Sequence, residues 1–391
     1  TPFLPETATL QASVSARPNL DVPRVLEDLS HYPYGCLEQT TSIAFPLLYV
    51  KELAAIWDVK NNDSQGDHDR IQSAVDRAFE HERSDGMFGL WSGADPADQW
   101  LSAYAMDFLT EAQAQGYRMS EIGYRNGLKG LQLIIGEYSA GNGEALNARA
   151  YALYVLAKAK AVNLSDLRYF NDTYLDRLPT PIAKAQVGAA LAMSGDLERS
   201  GAAFAKSRAD AARASGGYWD YDSDWYGSGL RDMAALITLE VEAKMPSSDL
   251  AGLLDKLSAQ QAVRSWLSTQ EEAWILRAAY ATAHDQAHMK LALSNGAAAD
   301  QDKPYLVRAG LGDLDKDLTV TNQGDQPVYL RATAAGVPAQ AQPAMEAGAS
   351  VSRQLYTIDG KQTSLDKIKQ NDIVVAVVSG DFKDNATHRA K

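Results

Sequence analysis

The sequence predicts a mainly α protein, an α/α toroid inserted in a β-sandwich. Three observations carry this expectation. Helical stripes recur through the middle of the chain at steps close to the length of one helical hairpin. Strand-like alternation precedes that block and resumes after it. All seven Trp lie between Trp57 and Trp274, so the C-terminal part differs in composition from the middle.

The elements follow in order. Thr9 to Ser15 (TLQASVS) reads as a strand with Leu10, Ala12 and Val14 facing inward. A helix is expected from Thr40 to Trp57. Gln99 to Ala114 then sets Trp100, Ala103, Tyr104, Phe108 and Leu109 on one stripe at i, i+3, i+4 spacing. Similar stripes recur from Asn147, Ala185, Leu230 and Gln270. Their central residues, Ala103, Ala150, Ala189, Ala235 and Ala273, stand 47, 39, 46 and 38 residues apart, the repeat of a two-helix hairpin. About six hairpins can close into a ring. An open superhelix is the alternative, but no repeat resembles a polar end cap. Beyond the helices, Leu318, Val320, Val328 and Leu330 alternate around Asn322-Gln323-Gly324-Asp325 and predict a hairpin. Asp372 to Val378 (DIVVAVV) reads as a buried strand.

Of the 391 residues, 46% are hydrophobic and 22% charged, which suits a globular chain with a sizeable core. Lys and Arg number 37 against 50 Asp and Glu, a net charge of −13. That balance speaks against broad nucleic-acid binding, since phosphates need an excess of cations. No apolar run reaches the roughly 18 residues of a membrane span. The first residues, Thr1 to Glu6, have neither Met, a basic start nor an apolar signal core, and read as part of a longer protein.

The single cysteine, Cys36, cannot pair within the chain. Its surroundings are Tyr32-Pro33-Tyr34-Gly35-Cys36-Leu37-Glu38-Gln39-Thr40. Gly35 suits a backbone turn that other residues resist. Thr40 and Ser42 precede the apolar run from Ile43 to Val50, so a helix begins near here. A cysteine at a helix N-terminus has its thiolate favoured by the free N–H groups. Cys36 and Gln39, at i and i+3, share a face with Cβ atoms about 5–6 Å apart. Attack of the thiolate on the Gln39 side-chain amide would expel ammonia and close a 15-membered thioester ring. Such an acyl group needs shelter from water, which the rings of Tyr32 and Tyr34, stiffened by Pro33, are placed to give.

PYGCLEQT resembles the thioester motif Gly-Cys-x-Glu-Gln of the α2-macroglobulin and complement family, and YPYG before the cysteine resembles its bacterial branch. Tyr221 to Asp232 (YDSDWYGSGLRD) and Ser268-Thr269-Gln270 resemble stretches of that family's thioester domain in the same order. Ser352 to Asp359 is similar to the start of its C-terminal macroglobulin-type β-domain. The resemblance implies a toroid within a CUB-type β-domain. It divides the chain into a first CUB-like strand segment (1–18), the thioester domain (19–295), the remaining CUB-like strands (296–340) and part of the C-terminal β-domain (341–391). By the same resemblance Cys36 supplies the thiol and Gln39 the acyl group, with Tyr32, Tyr34, Gly35, Leu37 and Glu38 completing the motif and its shield. The implied function is a non-enzymatic, monomeric protease inhibitor of bacterial defence with no cofactor and no metal. Target proteases are held covalently through lysine, and small amines such as methylamine react in their place. The implied location is the periplasm, with inner-membrane anchoring of the full-length protein, by a segment outside this chain, left open.

Other readings compete. A lone cysteine is commonly an inert buried residue, and a cysteine protease would need a partner such as His31 in a signature that is missing here. His284 and His288 sit at i, i+4, but HDQAH lacks the Glu of HExxH, which favours a solvated helix end over zinc. Asp220, Asp222 and Asp224 interleave with Trp219, Tyr221, Trp225 and Tyr226, and could serve a toroid enzyme acting on sugars. A polar loop with helix-capping Asp is the plainer reading. A macroglobulin fragment whose thioester never forms is another. Sequons at Asn62, Asn163, Asn171 and Asn385 count for little in a bacterial protein. Complement-type proteins relay the acyl group through a His well after the Cys. The comparable stretch, Gly136 to Asn147, contains none, so direct attack by amines is expected.

Overall fold

The computed structural model describes residues 3–18, 20–30, 35–57, 64–136, 143–213, 226–245, 247–264, 266–283, 287–309, 317–340 and 349–382. Its helices are α1 (Val22–Ser30), α2 (Leu37–Ile56), α3 (Ser64–Glu80), α4 (Gln99–Ala114), α5 (Glu121–Gly136), α6 (Gly143–Lys158), α7 (Leu164–Tyr174), α8 (Pro181–Met193), α9 (Leu197–Arg213), α10 (Gly229–Glu242), α11 (Leu250–Ala262) and α12 (Thr269–Ala281). The even-numbered helices form the inner ring. Each packs on the next, from α2 through α4, α6, α8 and α10 to α12, and α12 returns to α2. That last contact makes the helical block a closed toroid and excludes the open superhelix. The odd-numbered helices lie outside, α3 and α5 against the early members, α7, α9 and α11 against the later ones, and α1 against α12 and α2.

The five spaced alanines sit where the inner helices meet, and all are almost fully buried. A methyl side chain lets neighbouring backbones approach. Most inner helices are buried on all sides rather than on one stripe; α2 is the exception, with Lys51, Glu52 and Ala55 exposed. In α4 every residue from Trp100 to Thr110 is buried, Ser102 and Asp107 included. A ring member touches two neighbours, the outer layer and the ring interior, so no face is left for water.

The interior carries charge. On α4, Asp107 accepts from Tyr151 Oη at 3.0 Å, Lys158 Nζ at 2.9 Å and Arg277 Nη1 at 3.1 Å. Arg277 also reaches Glu242 at 3.3 Å, to which Tyr154 donates at 2.6 Å. The Arg277 guanidinium stacks 3.9 Å from the Trp274 ring and 4.2 Å from Phe45. These groups come from five inner helices and lie toward their middle and C-terminal turns.

The described strands form three three-stranded sheets. Strand β1 (Thr9–Ser15) pairs antiparallel with β4 (Tyr305–Ala309), Ala12 opposite Val307, and β6 (Tyr329–Ala335) completes the order β4-β1-β6. Strands β2 (Met289–Leu293), β3 (Ala298–Gln301) and β5 (Val320–Asn322) form the order β3-β2-β5. Val14 and Ala16 share a small core with Met289, Leu291 and Leu293, so the two sheets face each other. The first strand pairs only with strands that follow the helices, which is what an inserted helical domain requires. Residues 9–334 form one compact unit; residues 1–8 and 335–391 form another, holding β7 (Ala349–Thr357), β8 (Gln362–Thr363) and β9 (Val374–Phe382) in the order β8-β7-β9.

Several expectations need correction. Residues 318–330 are not a hairpin: β5 pairs with β2 and β6 with β1, so the chain changes sheets there. The Asn322 side chain organises the crossover, accepting from Gly324 N–H and donating to the Gln326 carbonyl. In β1, Ser13 and Ser15 are buried as deeply as Ala12 and Val14, because both faces are covered at that end. The strand expected at Asp372–Val378 starts at Val374, and Ile373, Val375, Val377 and Val378 are exposed rather than buried. His288 is not on a helix. It precedes β2, with Nε2 2.6 Å from Asp300 and Nδ1 2.7 Å from Asp302. His284 lies outside the described residues. Asn163 caps α7, and Asn171 is buried and donates to Asp172, so both have structural roles.

The Asp107 network generates a stability prediction. Its cationic partners hold the carboxyl below the usual carboxylate range against the opposing effect of burial. Replacing Asp107 by Ala leaves Arg277 and Lys158 short of a counter-charge, and should cost about 3–5 kcal/mol in denaturant unfolding. The depressed pKa means that this stability is present above pH ~4 and is lost as the pH falls further. Asp107→Asn should therefore flatten acid unfolding; an unchanged acid limb would count against the assignment.

Candidate functional site

In a ring built this way the inner helices run parallel, and their N-termini gather at one end. The capping residues there are Asp98 on α4, Thr180 on α8, Ser228 on α10 and Ser268 on α12, each accepting from a backbone N–H through a side-chain oxygen. On α2 the cap is Cys36, in extended conformation, and its sulfur takes the oxygen's place. Cys36 Sγ accepts from Gln39 N–H at 3.5 Å, and the Glu38 N–H also interacts with it. The helix starts at Leu37, earlier than the apolar run suggested, and this places Cys36 and Gln39 within one turn.

The free thiol is not activated as its helix-terminal position implied. Burial pushes its pKa up, the Gln39 N–H opposes this, and the Glu38 charge adds to the rise; the net direction is upward. Cys36 is only 6% exposed, and desolvation of a thiolate there outweighs two N–H donors. Gln39 presents the complementary oddity. Its Oε1 is buried and has no hydrogen-bond partner among the described residues. An orphaned amide oxygen costs about 1–3 kcal/mol. The site thus brings a sheltered thiol and an unsatisfied amide carbonyl together on one helical turn.

The neighbours have distinct tasks. The Gly35 carbonyl accepts from Arg77 Nη2 at 2.5 Å, and a Cβ at Gly35 would stand 3.1 Å from that nitrogen. A side chain at Gly35 would therefore crowd the Arg77 guanidinium. Leu37 donates its N–H to the Leu90 carbonyl at 2.9 Å and buries its side chain completely. Glu38 is buried, and its Oε1 accepts from Ser42, Thr269 and Gln270. Tyr32 and Tyr34, the expected shield, lie outside the described residues, as does His31.

One aromatic was not singled out from sequence as part of this site. Tyr226 stacks on Trp100 with centroids 4.8 Å apart, and Trp100 stacks on Tyr104 at 5.3 Å. Burial raises the Tyr226 pKa, followed by the charges of Asp98, Glu38 and Cys36, which places its hydroxyl in the electrostatic field of the thiol. Sequence reading had grouped Tyr226 with the acidic cluster. The rest of that cluster, residues 219–225, lies outside the described residues. Asn147, at the end of the stretch that lacks His, accepts from Thr180 Oγ1 at 3.0 Å. Among the described residues no group of three His, Cys, Asp or Glu could hold a metal ion, and no helix is long and apolar enough to cross a membrane.

Known proteins resemble this chain in sequence and fold. The family profile of the A-macroglobulin TED domain matches residues 8–126. Over 384 residues the chain is 32% identical to alpha-2-macroglobulin of Escherichia coli K12, a match covering 95% of this chain and 23% of that protein. The crystal structure of native E. coli alpha-2-macroglobulin from domain MG7 to the C-terminus superposes with a TM-score of 0.86 at 28% identity, covering 97% of this chain and 60% of that one. Salmonella alpha-2-macroglobulin reacted with methylamine gives 0.85 at 28% identity, covering 97% of this chain and 25% of that one. The E. coli protein activated by porcine elastase gives 0.62 at 29% identity, covering 97% and 34%. The chain spans about a quarter of the length of the curated relatives it matches over most of its own.

A pH effect follows from Glu272 on α12, buried against α1, the helix that leads into residues 31–34. Burial raises its pKa to about 8; Asp28 on α1 and Glu271 add to the rise, and Arg24 opposes it. An unfolded Glu loses its proton near pH ~4.3. Between that pH and about 8 the folded chain keeps a proton that the unfolded chain has lost, so stability falls as pH rises across the window. Glu272→Gln should flatten the decline of Tm across this range; a decline identical to wild type would refute the role.

Proposed function

The chain belongs to the bacterial α2-macroglobulin family, and on that premise we propose that Cys36 and Gln39 form an internal thioester that captures proteases through their lysines. The observation that carries the proposal is the pairing of an N-capping thiol with an orphaned amide carbonyl three residues on. In the forming step the Cys36 thiol adds to Gln39 Cδ and ammonia leaves. In the trapping step an unprotonated amine adds to the same carbon, the C–S bond breaks, and the proton lost by the amine ends on Cys36. The products are an amide at Gln39 and a free thiol.

The chain's own groups favour this step selectively. Sulfur gains negative charge as it departs, and the Gln39 and Glu38 N–H groups already point at it. No imidazole is present in the stretch from Gly136 to Asn147 to carry the acyl group, so the nucleophile must attack unaided. Amines then outcompete hydroxyls. Methylamine on the Salmonella relative and elastase on the E. coli relative support the same partners for this chain. The trigger, cleavage of a bait segment, belongs to parts of the full-length protein beyond this chain. Location in the periplasm, anchoring at the inner membrane, a monomeric state and a role in bacterial defence complete the reading and rest on the family resemblance.

The deciding experiment combines intact mass with alkylation. Native protein should weigh one ammonia less than its sequence, and Cys36 should label only after methylamine treatment. Immediate full labelling would defeat the proposal. Labelled methylamine should also enter in large excess over labelled glycerol, and comparable incorporation would point to a relay. Tyr226→Ala should shorten the thioester lifetime in buffer severalfold while Tyr226→Phe preserves it, because the cover is the ring and not the hydroxyl. Equal lifetimes in wild type and Tyr226→Ala would assign the cover elsewhere.

A further inference from the structure

The carboxylate of Glu38 gathers donors from two helices onto a single oxygen. Oε1 accepts from Ser42 Oγ at 2.7 Å, from Thr269 Oγ1 at 2.9 Å and from Gln270 Nε2 at 2.9 Å. Gln270 Nε2 also lies 2.9 Å from Ser42 Oγ, and Tyr104 Oη lies 3.0 Å from it. The hydrogen count fixes every direction. Ser42 has one hydrogen and spends it on Glu38, so it accepts from both Gln270 and Tyr104. Gln270 has two amide hydrogens, one for each contact. All the hydrogen bonds therefore run toward Glu38 Oε1, and all five side chains are buried.

The position of this network gives it consequence. Glu38 lies between Cys36 and Gln39 in the same helical turn. Thr269 and Gln270 open α12, the last inner helix, whereas Glu38 opens α2, the first. The network is thus the polar seam at which the ring closes, and the seam passes through the turn that holds the reacting atoms. We propose that Glu38, Thr269 and Gln270 form a clasp that positions Cys36 Sγ against Gln39 Cδ, and that Glu38 serves as a fixed hydrogen-bond acceptor, not as a base for the incoming amine. This rests on the thioester reading given above. Three donors converge on Oε1 and commit that oxygen's lone pairs to the clasp, and the pH profile of methylamine uptake tests whether the second oxygen, Oε2, takes a proton from the amine. Thr269 and Gln270 thereby become positioning residues for the thioester although more than two hundred residues separate them from it in sequence.

The test separates acceptor from charge. Gln at position 38 offers a carbonyl oxygen to the same three donors without the negative charge. In the full-length protein, thioester occupancy from intact mass, the methylamine uptake rate against pH, and Tm would be measured for Glu38→Ala, Glu38→Gln, Thr269→Val and Gln270→Ala. Glu38→Ala should lose occupancy at least about tenfold, Glu38→Gln should rescue most of that loss with a pH profile of the wild-type shape, and Thr269→Val, close in size to Thr and missing one donor, should fall between them while remaining folded by Tm. If Glu38→Gln is as defective as Glu38→Ala, or if its pH profile changes shape, the charge does the work and the clasp is wrong. Full occupancy in Glu38→Ala or Thr269→Val would also overturn it. A wild-type protein lacking the one-ammonia deficit fails at an earlier point, refuting the thioester reading and the clasp together, and so is distinguishable from failure of the clasp alone.

Discussion

The packing of α12 on α2 is the contact on which the rest of the molecule depends. Without it six hairpins make an open arc whose two ends each expose an apolar flank. With it the inner helices form a continuous wall, every one flanked on both sides. The alternation of inner and outer helices gives the inner ones a common direction, and closure gathers their six N-termini at one end, with their unpaired N–H groups and partial positive charge. Carboxylates and hydroxyls answer that demand at most of these termini, and a thiol answers it at one.

The two halves of the ring meet the cost of buried polarity differently. Toward the C-terminal turns, full charges face one another, with Arg277, Lys158, Asp107 and Glu242 in mutual contact and aromatic rings above and below the guanidinium. Such a network favours one arrangement of five helices over any slid or rotated alternative, since each misplacement strands a charge. Toward the N-terminal end the links between helices are mainly caps and hydrogen bonds, with the buried Arg231–Asp232 pair in the first turn of α10 as a local exception. The Ser268 capping box, with Glu271 also accepting from Ser228, ties α12 to α10, while Glu38 ties it to α2. Ion pairs toward one end and a directional seam at the other hold the turn that carries Cys36, and Arg77 donates to the Gly35 carbonyl just before it.

Much of this was legible in the sequence, for identifiable reasons. The inner helices announced themselves because ring packing repeats, and a repeat near forty residues with small residues at its centre is visible without coordinates. Cys36 and Gln39 could be proposed from sequence alone because a thioester would need both residues within one turn, and the structure places them on the first turn of α2. The contributions of Thr269, Gln270 and Tyr226 to the site were not, because ring closure, not local spacing, brings them there. The hairpin expected at 318–330 failed for a related reason. Alternation reports which residues can face a core, whereas pairing depends on which sheet each strand joins, and Asn322 satisfies locally what a hairpin ladder would have satisfied. The exposed valines of β9 show the same limit, since an apolar strand is a statement about capacity for burial and not about a cover.

The raised thiol pKa bears on how the proposed Cys36–Gln39 thioester would be both durable and reactive. Burial that disfavours the Cys36 thiolate also disfavours its departure from an acyl group, so the environment that makes the free thiol sluggish makes the bond persistent. The two N–H donors act in the opposite sense and gain strength as sulfur becomes anionic, which is differential stabilisation of the departing state. A weak nucleophile such as water meets the first effect in full and gains little from the second, because its own addition is slow. An amine that has reached the carbon adds readily and leaves expulsion of sulfur as the step the helix terminus assists. Selectivity between hydrolysis and capture can thus be set by the placement of one buried turn at the end of one inner helix.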